Sequence, residues 1–600
     1  MSARTIPHLF QSRVKQYGDR VALREKKFGL WKDISWNGYD RNTRLVGQAL
    51  WALGCREGDP VAIIGDNCPE WLYIDLGTQS IGGVSIGVYS TSPANQVEYI
   101  LDHSGAKFLF VENEEQLDKA LIIRDRIHSL KKVIYWDDKG LKEFRDPDVL
   151  YFEEFLKIGK EKMEIHPGLI DEKISTLRPE DVAIIVYTSG TTGPPKGVML
   201  THENLISASE SLYQAHNVYD TDELLSYLPL CHIGERTWSV THAINYGYTV
   251  SFAESAETVP QDLREIVPTI FFGVPRIWEK FYANVVLTMK DSTRFENIIY
   301  KMAIKVAAKA AHKELNQEPI PFFIKLIYKV FDVIVYRNTK RMFGLQKCHF
   351  PFSGAAPIAP DILFFFHGLG IRTIEIYGQT EATGPISIHQ GNEVKLGTVG
   401  KPVPGVEVKI ADDGEILVKG KNVCKGYYKD EELTANTIVD GWLHTGDMGE
   451  LDEEGNLTIT DRKKDIIITS GGKNITPQYI ENQLKFSPYI NDAIVIGDGR
   501  KYLTALIMID EENVFKYAQD MKIPFTTYAS LTRAQEVDKL IQEELDKVNK
   551  KLSAVENIKY FRLIDVQLTA EDDELTPTMK LKRKHVSERF KELIGSMYRS

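Results

Sequence analysis

The chain is poor in cysteine, short of positive charge and without long apolar runs. Its 600 residues include five cysteines that lie far apart and form no CxxC pair, which predicts reduced thiols in a cytoplasmic protein rather than a disulfide framework or a zinc site. A formal net charge of −11 argues against general binding to nucleic acid. The sequence shows no apolar leader-like segment and no uncharged run of about 18 residues, which predicts neither secretion nor a membrane span.

The length exceeds what one hydrophobic core usually supports, so at least two domains are expected. From Val61 to Phe110, short apolar runs alternate with helix-like stretches, which predicts an α/β fold with a largely parallel sheet. After Val399, strand-like segments with glycine turns predict a β subdomain of antiparallel hairpins. The charged stretch TDRKKD resembles a hinge near residues 461–465, between a large domain of residues 1–461 and a small mobile α+β domain of residues 462–600.

A helical insertion is predicted at about residues 280–345. This segment mixes aromatic and aliphatic residues with lysine and arginine. We favour a helical hairpin that packs on the large domain, and the alternative is a helix that lies on a membrane surface. Peripheral contact with a membrane therefore stays open.

The stretch IIVYTSGTTGPPKGVMLTHENL, residues 184–205, predicts a site for phosphate. A β-branched run suited to a buried strand precedes it, and Thr201 can cap a following helix with Glu203 in its first turn. Between them, glycines at positions 190, 193 and 197 let the backbone approach a ligand, while hydroxyl and amide donors and one lysine suit phosphate oxygens. The loop is not a Walker A motif, because Lys196 is followed by Gly197. The candidate residues are Thr188, Ser189, Gly190, Thr191, Thr192, Gly193 and Lys196.

The segment YTSGTTGPPKG resembles the signature of the adenylate-forming superfamily, which includes AMP-forming acyl-CoA synthetases, luciferases and peptide-synthetase adenylation domains. Six further motifs follow in the family's order, namely LPLCHIGER, PFSGAAPI, EIYGQTEATG, GWLHTGDMG, TDRKKDIIITSGGKNI and LTPTMKLKRK. The resemblance covers nearly the whole chain. It implies an enzyme that uses ATP, Mg²⁺ and coenzyme A to activate an acid.

The same resemblance implies roles for the middle motifs. The SGAAP segment forms a backbone wall for adenine, Tyr377 offers an aromatic face, and Asp447 accepts both ribose hydroxyls with a second ribose contact from Arg462. Thr380 contacts phosphate, and Glu381, with Thr191, holds Mg²⁺. The implied nucleotide set is Ser353, Gly354, Ala355, Ala356, Pro357, Tyr377, Gly378, Gln379, Thr380, Asp447 and Arg462.

The carboxy-terminal motifs imply the catalytic lysine and the path of coenzyme A. Lys580 corresponds to the family's lysine, but the usual preceding glycine is Met579 here, so Lys582 stays a rival. After rotation of the small domain about Lys464, the SGGKNI segment lines the pantetheine path. Its implied residues are Gly471, Gly472 and Lys473.

His232, in LPLCHIGER, corresponds to the family position beside the acyl carboxylate, and a satisfied interior histidine is the equal alternative. The helical insertion, this motif and the LTPTMKLKRK ending resemble the long-chain fatty acid–CoA ligase branch. Gly234 leaves the acyl chain length open. An acyl-AMP ligase that loads a carrier protein, a luciferase-like monooxygenase and a non-catalytic acyl or nucleotide sensor remain alternatives, and a homodimer stays open.

Overall fold

The computed structural model describes residues 5–188, 194–391, 393–568 and 582–599, and all element bounds refer to these ranges. The strands are β1 Val21–Lys27, β2 Leu30–Ser35, β3 Pro60–Ile64, β4 Val84–Val88, β5 Phe108–Val111, β6 Lys132–Tyr135, β7 Val149–Tyr151, β8 Val182–Thr188, β9 Lys196–Thr201, β10 Glu223–Ser226, β11 Thr249–Phe252, β12 Ile270–Gly273, β13 Phe350–Ser353, β14 Ile374–Gln379, β15 Gly384–Ile388, β16 Lys401–Pro402, β17 Val406–Ile410, β18 Glu415–Gly420, β19 Gly426–Tyr427, β20 Ile438–Val439, β21 Trp442–Leu451, β22 Leu457–Arg462, β23 Ile467–Ile468, β24 Asn474–Ile475, β25 Ile490–Ile496, β26 Leu503–Ile509 and β27 Ile558–Leu563.

The α-helices follow the same order along the chain. They are α1 Ile6–Tyr17, α2 Trp36–Ala52, α3 Pro69–Ser80, α4 Ala94–Ser104, α5 Glu114–Ile123, α6 Phe152–Ile165, α7 Leu169–Thr176, α8 His202–Ala215, α9 Ile233–Arg236, α10 Ala243–Tyr246, α11 Val259–Ile266, α12 Pro275–Lys290, α13 Arg294–Leu315, α14 Phe322–Phe331, α15 Arg337–Met342, α16 Pro360–Gly368, α17 Glu431–Thr437, α18 Pro477–Lys485, α19 Glu511–Asp520, α20 Tyr528–Thr532, α21 Gln535–Asn549, α22 Arg583–Arg589 and α23 Lys591–Ser596. Short 3₁₀ turns lie at Arg124–Arg126 and Thr380–Ala382, and π-helical turns at Thr237–His242 and Asp332–Tyr336.

Two large sheets form the body of the protein. One has the strand order β19-β9-β8-β4-β3-β5-β6-β7, and the other β16-β15-β14-β13-β12-β10-β11-β1-β2. The predicted parallel arrangement between Val61 and Phe110 is confirmed, because β3 pairs in parallel with both β4 and β5. Both β3 and β4 are buried along their whole length, as expected for parallel strands covered on both faces.

The strand β13 ends at Ser353, which lies opposite Glu375 near the start of the parallel strand β14. Ligands of α/β sheets bind at the carboxyl ends of the strands. The SGAAP motif begins with the last residue of β13, and the YGQTE motif comprises the last three residues of β14 and the start of the turn after it. The fold therefore places the two motifs at one edge of the sheet.

The chain after Val399 forms the predicted antiparallel hairpins. β17 pairs with β18, and β21 pairs with β18, β20 and β22. Further along, β25, β26 and β27 form a three-stranded sheet, and the residues from Ile467 to Phe561 build a hydrophobic core of their own. A boundary near residues 461–465 stays a prediction.

The carboxy-terminal part packs on α12, the helix that leads into the helical insertion. The guanidinium of Arg276, in α12, lies 2.8 Å from the carboxylate of Asp510, and the rings of Tyr282 and Phe486 stack with centroids 4.9 Å apart. The segment 280–345 is mostly helical, as predicted, and comprises α13, α14 and α15 with the end of α12. Among the described residues, no helix combines the length and the apolar character needed to cross a bilayer.

Candidate active site

The glycine-rich stretch connects two antiparallel strands. β8 ends at Thr188 and β9 begins at Lys196, and these residues are paired across the hairpin. The sequence predicted a strand, a loop and then a helix, which was incomplete, because β9 stands between the loop and α8. Val198 and Leu200 of β9 are buried in the main core, and alternate burial is what a strand provides. Five predicted residues lie outside the described part, namely Ser189, Gly190, Thr191, Thr192 and Gly193.

The helix after β9 begins as predicted. Thr201 accepts a hydrogen bond from the backbone N–H of Asn204, and the Asn204 side chain accepts one from the backbone N–H of Thr201, which closes a capping box. Glu203 lies in the first turn. Gly197 has a packing reason, because a Cβ there would lie 2.9 Å from Ile185 Cγ2, and its contact with a ligand stays a prediction.

Lys196 and Glu381, which belong to separate motifs, lie around one tyrosine. The Lys196 Nζ is 5.8 Å from the centroid of the Tyr427 ring, and the Tyr427 hydroxyl donates a 2.8 Å hydrogen bond to Glu381 Oε1. Burial and the nearby Glu381 charge raise the pKa of Tyr427. Sequence analysis missed Tyr427 because its place depends on the pairing of β19 with β9, in which Tyr427 is opposite Val198.

Glu381 is held in a rigid turn at the end of β14. Its carbonyl oxygen accepts a 2.8 Å hydrogen bond from the Cys424 N–H, and the Thr383 hydroxyl donates a 2.6 Å bond to the Asn422 carbonyl. Gly378 is required here, since a Cβ would lie 1.9 Å from the Gly384 carbonyl oxygen. The turn therefore fixes the backbone position of Glu381, with the buried Thr380 beside it.

A second cluster joins three predicted ribose-site residues. The Tyr377 hydroxyl donates a 2.7 Å hydrogen bond to Asp447 Oδ2, and Arg462 Nε lies 3.5 Å from Asp447 Oδ1. Asp447 and Arg462 are opposite each other in the β21–β22 pairing. Burial and the Asp447 charge raise the pKa of Tyr377. The structure thus brings all three residues together.

The SGAAP segment turns sharply after β13. A Cβ at Gly354 would lie 2.6 Å from Ile376 Cγ2, and Ala355 has a left-handed backbone with φ of 70°. Ala356 and Pro357 continue the turn. Two polar atoms of the predicted nucleotide motifs, Ser353 Oγ of SGAAP and Gln379 Nε2 of YGQTE, are buried and have no hydrogen-bond partner among the described residues. Such atoms are suited to a polar ligand such as a purine base.

Glu375 is a further residue that sequence analysis missed, and it contacts the backbone directly after the SGAAP segment. It lies on β14 and is buried, and its carboxyl is hydrogen-bonded to the backbone of Ile358. Burial raises its pKa to about 8. The acidic residue within the apolar run IRTIEIY is the signal that could have identified it.

His232 caps the short helix α9. Its Nδ1 accepts a 3.1 Å hydrogen bond from the backbone N–H of Gly234, so the neutral ring carries its proton on Nε2. Nearby, the buried Glu235 accepts bonds of 2.6 Å from Ser226 and 2.5 Å from Ser239. Burial raises the pKa of Glu235 to about 7. The ring of His232 is half-buried, and its role beside an acyl group stays a prediction.

The predicted hinge and coenzyme A residues lie on the surface. Lys464 is exposed in the turn after β22. Gly471, Gly472 and Lys473 are exposed at the tip of the β23–β24 hairpin, which is closed by a 3.0 Å bond from the Thr469 N–H to the Lys473 carbonyl. A Cβ at Gly472 would meet no described atom within 4 Å. The tip is therefore not packed against the rest of the described chain.

Lys580 lies outside the described residues, whereas its rival Lys582 is the residue before α22. The next residue, Arg583, is firmly anchored. Its guanidinium donates a 2.9 Å hydrogen bond to the Val495 carbonyl and a 3.0 Å bond to Glu481. These bonds fix the position of the chain at the carboxy-terminal end of the predicted lysine motif.

Comparisons with known proteins agree along the whole chain. The profile of the AMP-binding enzyme family matches residues 10–428, and that of the AMP-binding enzyme C-terminal domain matches residues 464–600. The long-chain-fatty-acid–CoA ligase FadD15 of Mycobacterium bovis is 34% identical over 95% of this chain and 93% of its own. The long-chain-fatty-acid–CoA ligase ACSBG2 of Xenopus laevis is 33% identical over 99% and 84%.

Solved structures support the fold. The anthranilate CoA ligase AuaEII in complex with anthranoyl-AMP superposes with a TM-score of 0.74 at 18% identity, and the match covers 99% of each chain. A likeness at this identity concerns the architecture alone. It agrees with a large α/β part followed by a smaller carboxy-terminal part.

Proposed function

We propose, from the premise that this chain belongs to the family of AMP-binding enzymes, that it uses ATP to join a long-chain fatty acid to coenzyme A. Relatives that match nearly the whole chain carry the name long-chain-fatty-acid–CoA ligase. The observation that carries the proposal is the arrangement around β14, where Tyr377 bonds to Asp447 and Glu381 bonds to Tyr427 beside Lys196. A nucleotide's ribose and phosphates need groups of these two kinds within one site.

The reaction has two steps. A carboxylate is a poor acyl donor because its leaving group would be oxide. In the first step a carboxylate oxygen attacks the α-phosphorus, the bond between that phosphorus and the bridging oxygen breaks, and pyrophosphate leaves. In the second step the sulfur of coenzyme A, which loses its proton, attacks the acyl carbon, and AMP leaves with the carbon–oxygen bond electrons.

The charge that builds on the phosphoryl oxygens needs fixed compensation. Lys196 and Thr188 hold the phosphates together with residues 189–193, and Thr380 adds a hydroxyl. Asp447 and Arg462 hold the ribose. Adenine lies against the SGAAP turn, where the buried Ser353 Oγ has no hydrogen-bond partner among the described residues.

Mg²⁺ fits the donor set at this site. Magnesium is usually held by one or two carboxylates together with substrate phosphates and water, and Glu381 offers a carboxylate whose position is fixed by Tyr427. Glu381 would hold the ion together with phosphate oxygens of the nucleotide. The ion would neutralise charge on the phosphates.

The two steps need different groups in one place. Lys580 compensates charge in the first step, and a thiol must enter for the second. We propose that residues 462–600 rotate about Lys464 relative to residues 1–461, a hinge motion of a recognised kind. After rotation, Gly471, Gly472 and Lys473 line the path of the pantetheine chain, where the glycines leave room for it.

Two alternatives share these motifs. An acyl-AMP ligase would pass the acyl group to a carrier protein instead of coenzyme A, and a non-catalytic sensor would bind the nucleotide without reaction. A sensor would be expected to have lost Lys580, Glu381 or Lys196, and all three are present in the sequence. Their retention favours catalysis.

The experiment uses the full chain with ATP, Mg²⁺ and a panel of acids from acetate to oleate. We expect pyrophosphate release that requires both ATP and a long-chain acid, and AMP release that requires coenzyme A. Pyrophosphate without AMP release on addition of coenzyme A would support the carrier-loading alternative. No pyrophosphate with any acid would contradict the proposed function.

The proposal extends to where the enzyme works. Its fatty acid substrate partitions into membranes, so we propose peripheral contact with a membrane surface. The alternative is that an exposed apolar surface forms the interface of a homodimer.

A further inference from the structure

The helix α14 exposes a continuous apolar face to solvent. None of its residues is buried, and Phe322 and Phe323 are 74% and 75% exposed. The exposed apolar residues of α14 and of the π-helical turn after it recur at spacings of three to five residues, which places them on one side of the helix. This apolar outer face consists of Phe322, Phe323, Leu326, Ile327, Val330, Val333 and Ile334.

The other side of the same helix is firmly held. The Tyr328 hydroxyl donates a 3.0 Å hydrogen bond to the Gly368 carbonyl, and the buried Tyr336 donates a 2.7 Å bond to the Ala303 carbonyl. Phe331 and Val335 pack against the core cluster of this region. The apolar outer face is therefore presented to solvent by an anchored helix. Exposed apolar patches of this kind mark interaction sites.

The surroundings of the face are strongly basic, although the chain as a whole is acidic. Residues 322–347 contain six lysines and arginines and one acidic residue, while the chain has a net charge of −11. Asp332 pairs with Arg337 and Lys340. No ion pair involves Lys325 or Lys329 among the described residues, and both are exposed. The cations are Lys325, Lys329, Arg337, Lys340, Arg341 and Lys347.

We propose that the apolar outer face docks on the surface of a membrane that contains anionic lipid. An interfacial helix buries an apolar face at the boundary of the acyl chains and holds lysines among the headgroups, and each lysine near an anionic surface adds attraction. A symmetric pair of chains that met through this face would bring two sets of like charges together. The charge therefore favours a membrane over a second copy.

The inference rests on the proposed function in one respect. A long-chain fatty acid is concentrated in the bilayer, so docking brings the enzyme to its substrate. Binding itself needs no catalysis and can be measured without it. The failure of one proposal can therefore be told from the failure of the other.

The test is flotation of the full chain with vesicles of phosphatidylcholine and phosphatidylserine, and with vesicles of phosphatidylcholine alone. We expect binding to the anionic vesicles that weakens as salt is added. The variant Lys325→Glu/Lys329→Glu should bind about 30-fold more weakly or worse, and Phe323→Glu/Ile327→Glu about tenfold more weakly or worse. The matched control, Lys157→Glu/Lys160→Glu on the exposed side of α6, should bind like the wild type.

Two readouts separate the outcomes. Pyrophosphate release with oleate on albumin, without vesicles, should be the same in all variants, and unchanged thermal unfolding shows that they are folded. Wild-type chain that releases pyrophosphate but does not float would overturn the docking proposal alone. A dimer in light scattering that Phe323→Glu/Ile327→Glu dissociates would also overturn it, as would equal loss of binding in the α6 control.

Discussion

The hydroxyl of Tyr427 donates a 2.8 Å hydrogen bond to the carboxylate of Glu381, 46 residues earlier in the chain. The ring of the same tyrosine lies beside the Lys196 ammonium. One residue outside all the motifs thus holds two groups that we propose to act on the phosphates. Because hydrogen bonds to charged groups are stronger than neutral ones, this contact is suited to fixing the carboxylate before the nucleotide binds.

The first prediction concerns this contact. Tyr427→Phe keeps the ring near Lys196 and removes the hydrogen bond to Glu381, which then has a less defined direction. Since a hydrogen bond to a charged group contributes about 1.5–3 kcal/mol, we expect kcat/KM for ATP to fall by about 10- to 100-fold. The measurement is pyrophosphate release at varied ATP and Mg²⁺. The control is Tyr428→Phe, which removes the hydroxyl that the neighbouring Tyr428 donates to the Ser104 carbonyl. An equal loss of kcat/KM in both variants would contradict the prediction.

The second prediction concerns the ribose cluster. Asp447→Asn replaces the carboxylate that accepts from Tyr377 and faces Arg462. The amide has one acceptor oxygen, so we expect kcat/KM for ATP to fall by about 10- to 100-fold, with a matching loss of AMP affinity in calorimetry. Asp413→Asn removes an acid that pairs with Lys463, next to Arg462, and should retain activity. Normal AMP affinity in Asp447→Asn would exclude the ribose role.

The structure shows which parts of the site sequence could predict. Tyr377, Thr380 and Glu381 lie on one strand and the turn after it, so their relation along the chain survives folding. Tyr427 could not be found in this way, because it reaches Glu381 only through the pairing of β19 with β9. Such non-local pairing leaves no periodic signal in a single sequence.

Local patterns also left two ambiguities. Lys196–Thr201 is too short for a strand to stand out beside glycines and prolines, and its pairing with β8 and β19 makes it one. The segment of α14 is apolar on more than one side, so its sequence fits both a packed hairpin and a surface helix. Burial shows that the side with Tyr328 packs inward while the side with Phe322 is exposed, and contact of that exposed side with a membrane stays a prediction.

The third prediction concerns stability and pH. Burial raises the pKa of Glu375 from its ordinary value of 4.5 to about 8. Between about pH 5 and about pH 8, Glu375 is protonated in the folded protein and ionised in the unfolded chain. The free energy of unfolding of the wild type therefore falls at this group as the pH rises. Glu375→Gln stays neutral and retains an acceptor for the Ile358 backbone. We expect its free energy of unfolding to exceed the wild-type value by a few kcal/mol near pH 8 and to approach it near pH 5.

Denaturant unfolding at several pH values checks this directly. Comparing two variants removes the contributions of all other titrating groups. Glu407→Gln, at an exposed position on β17, should follow the wild type at every pH. If the difference in free energy of unfolding between Glu375→Gln and the wild type did not grow with pH, the raised pKa of Glu375 would be contradicted.

The fourth prediction separates the two candidate lysines. Lys580→Ala removes a charge that we propose to act on the phosphoryl oxygens, and the loss of one well-placed donor costs on the order of 3–4 kcal/mol of barrier, or several hundredfold in rate. Acyl-AMP formation should fall by that factor, while transfer from preformed acyl-AMP to coenzyme A continues, because the lysine acts only in the first step. Lys582→Ala, beside the anchored Arg583, should keep both steps. If Lys582→Ala lost adenylation and Lys580→Ala kept it, the register of the motif would shift by two residues.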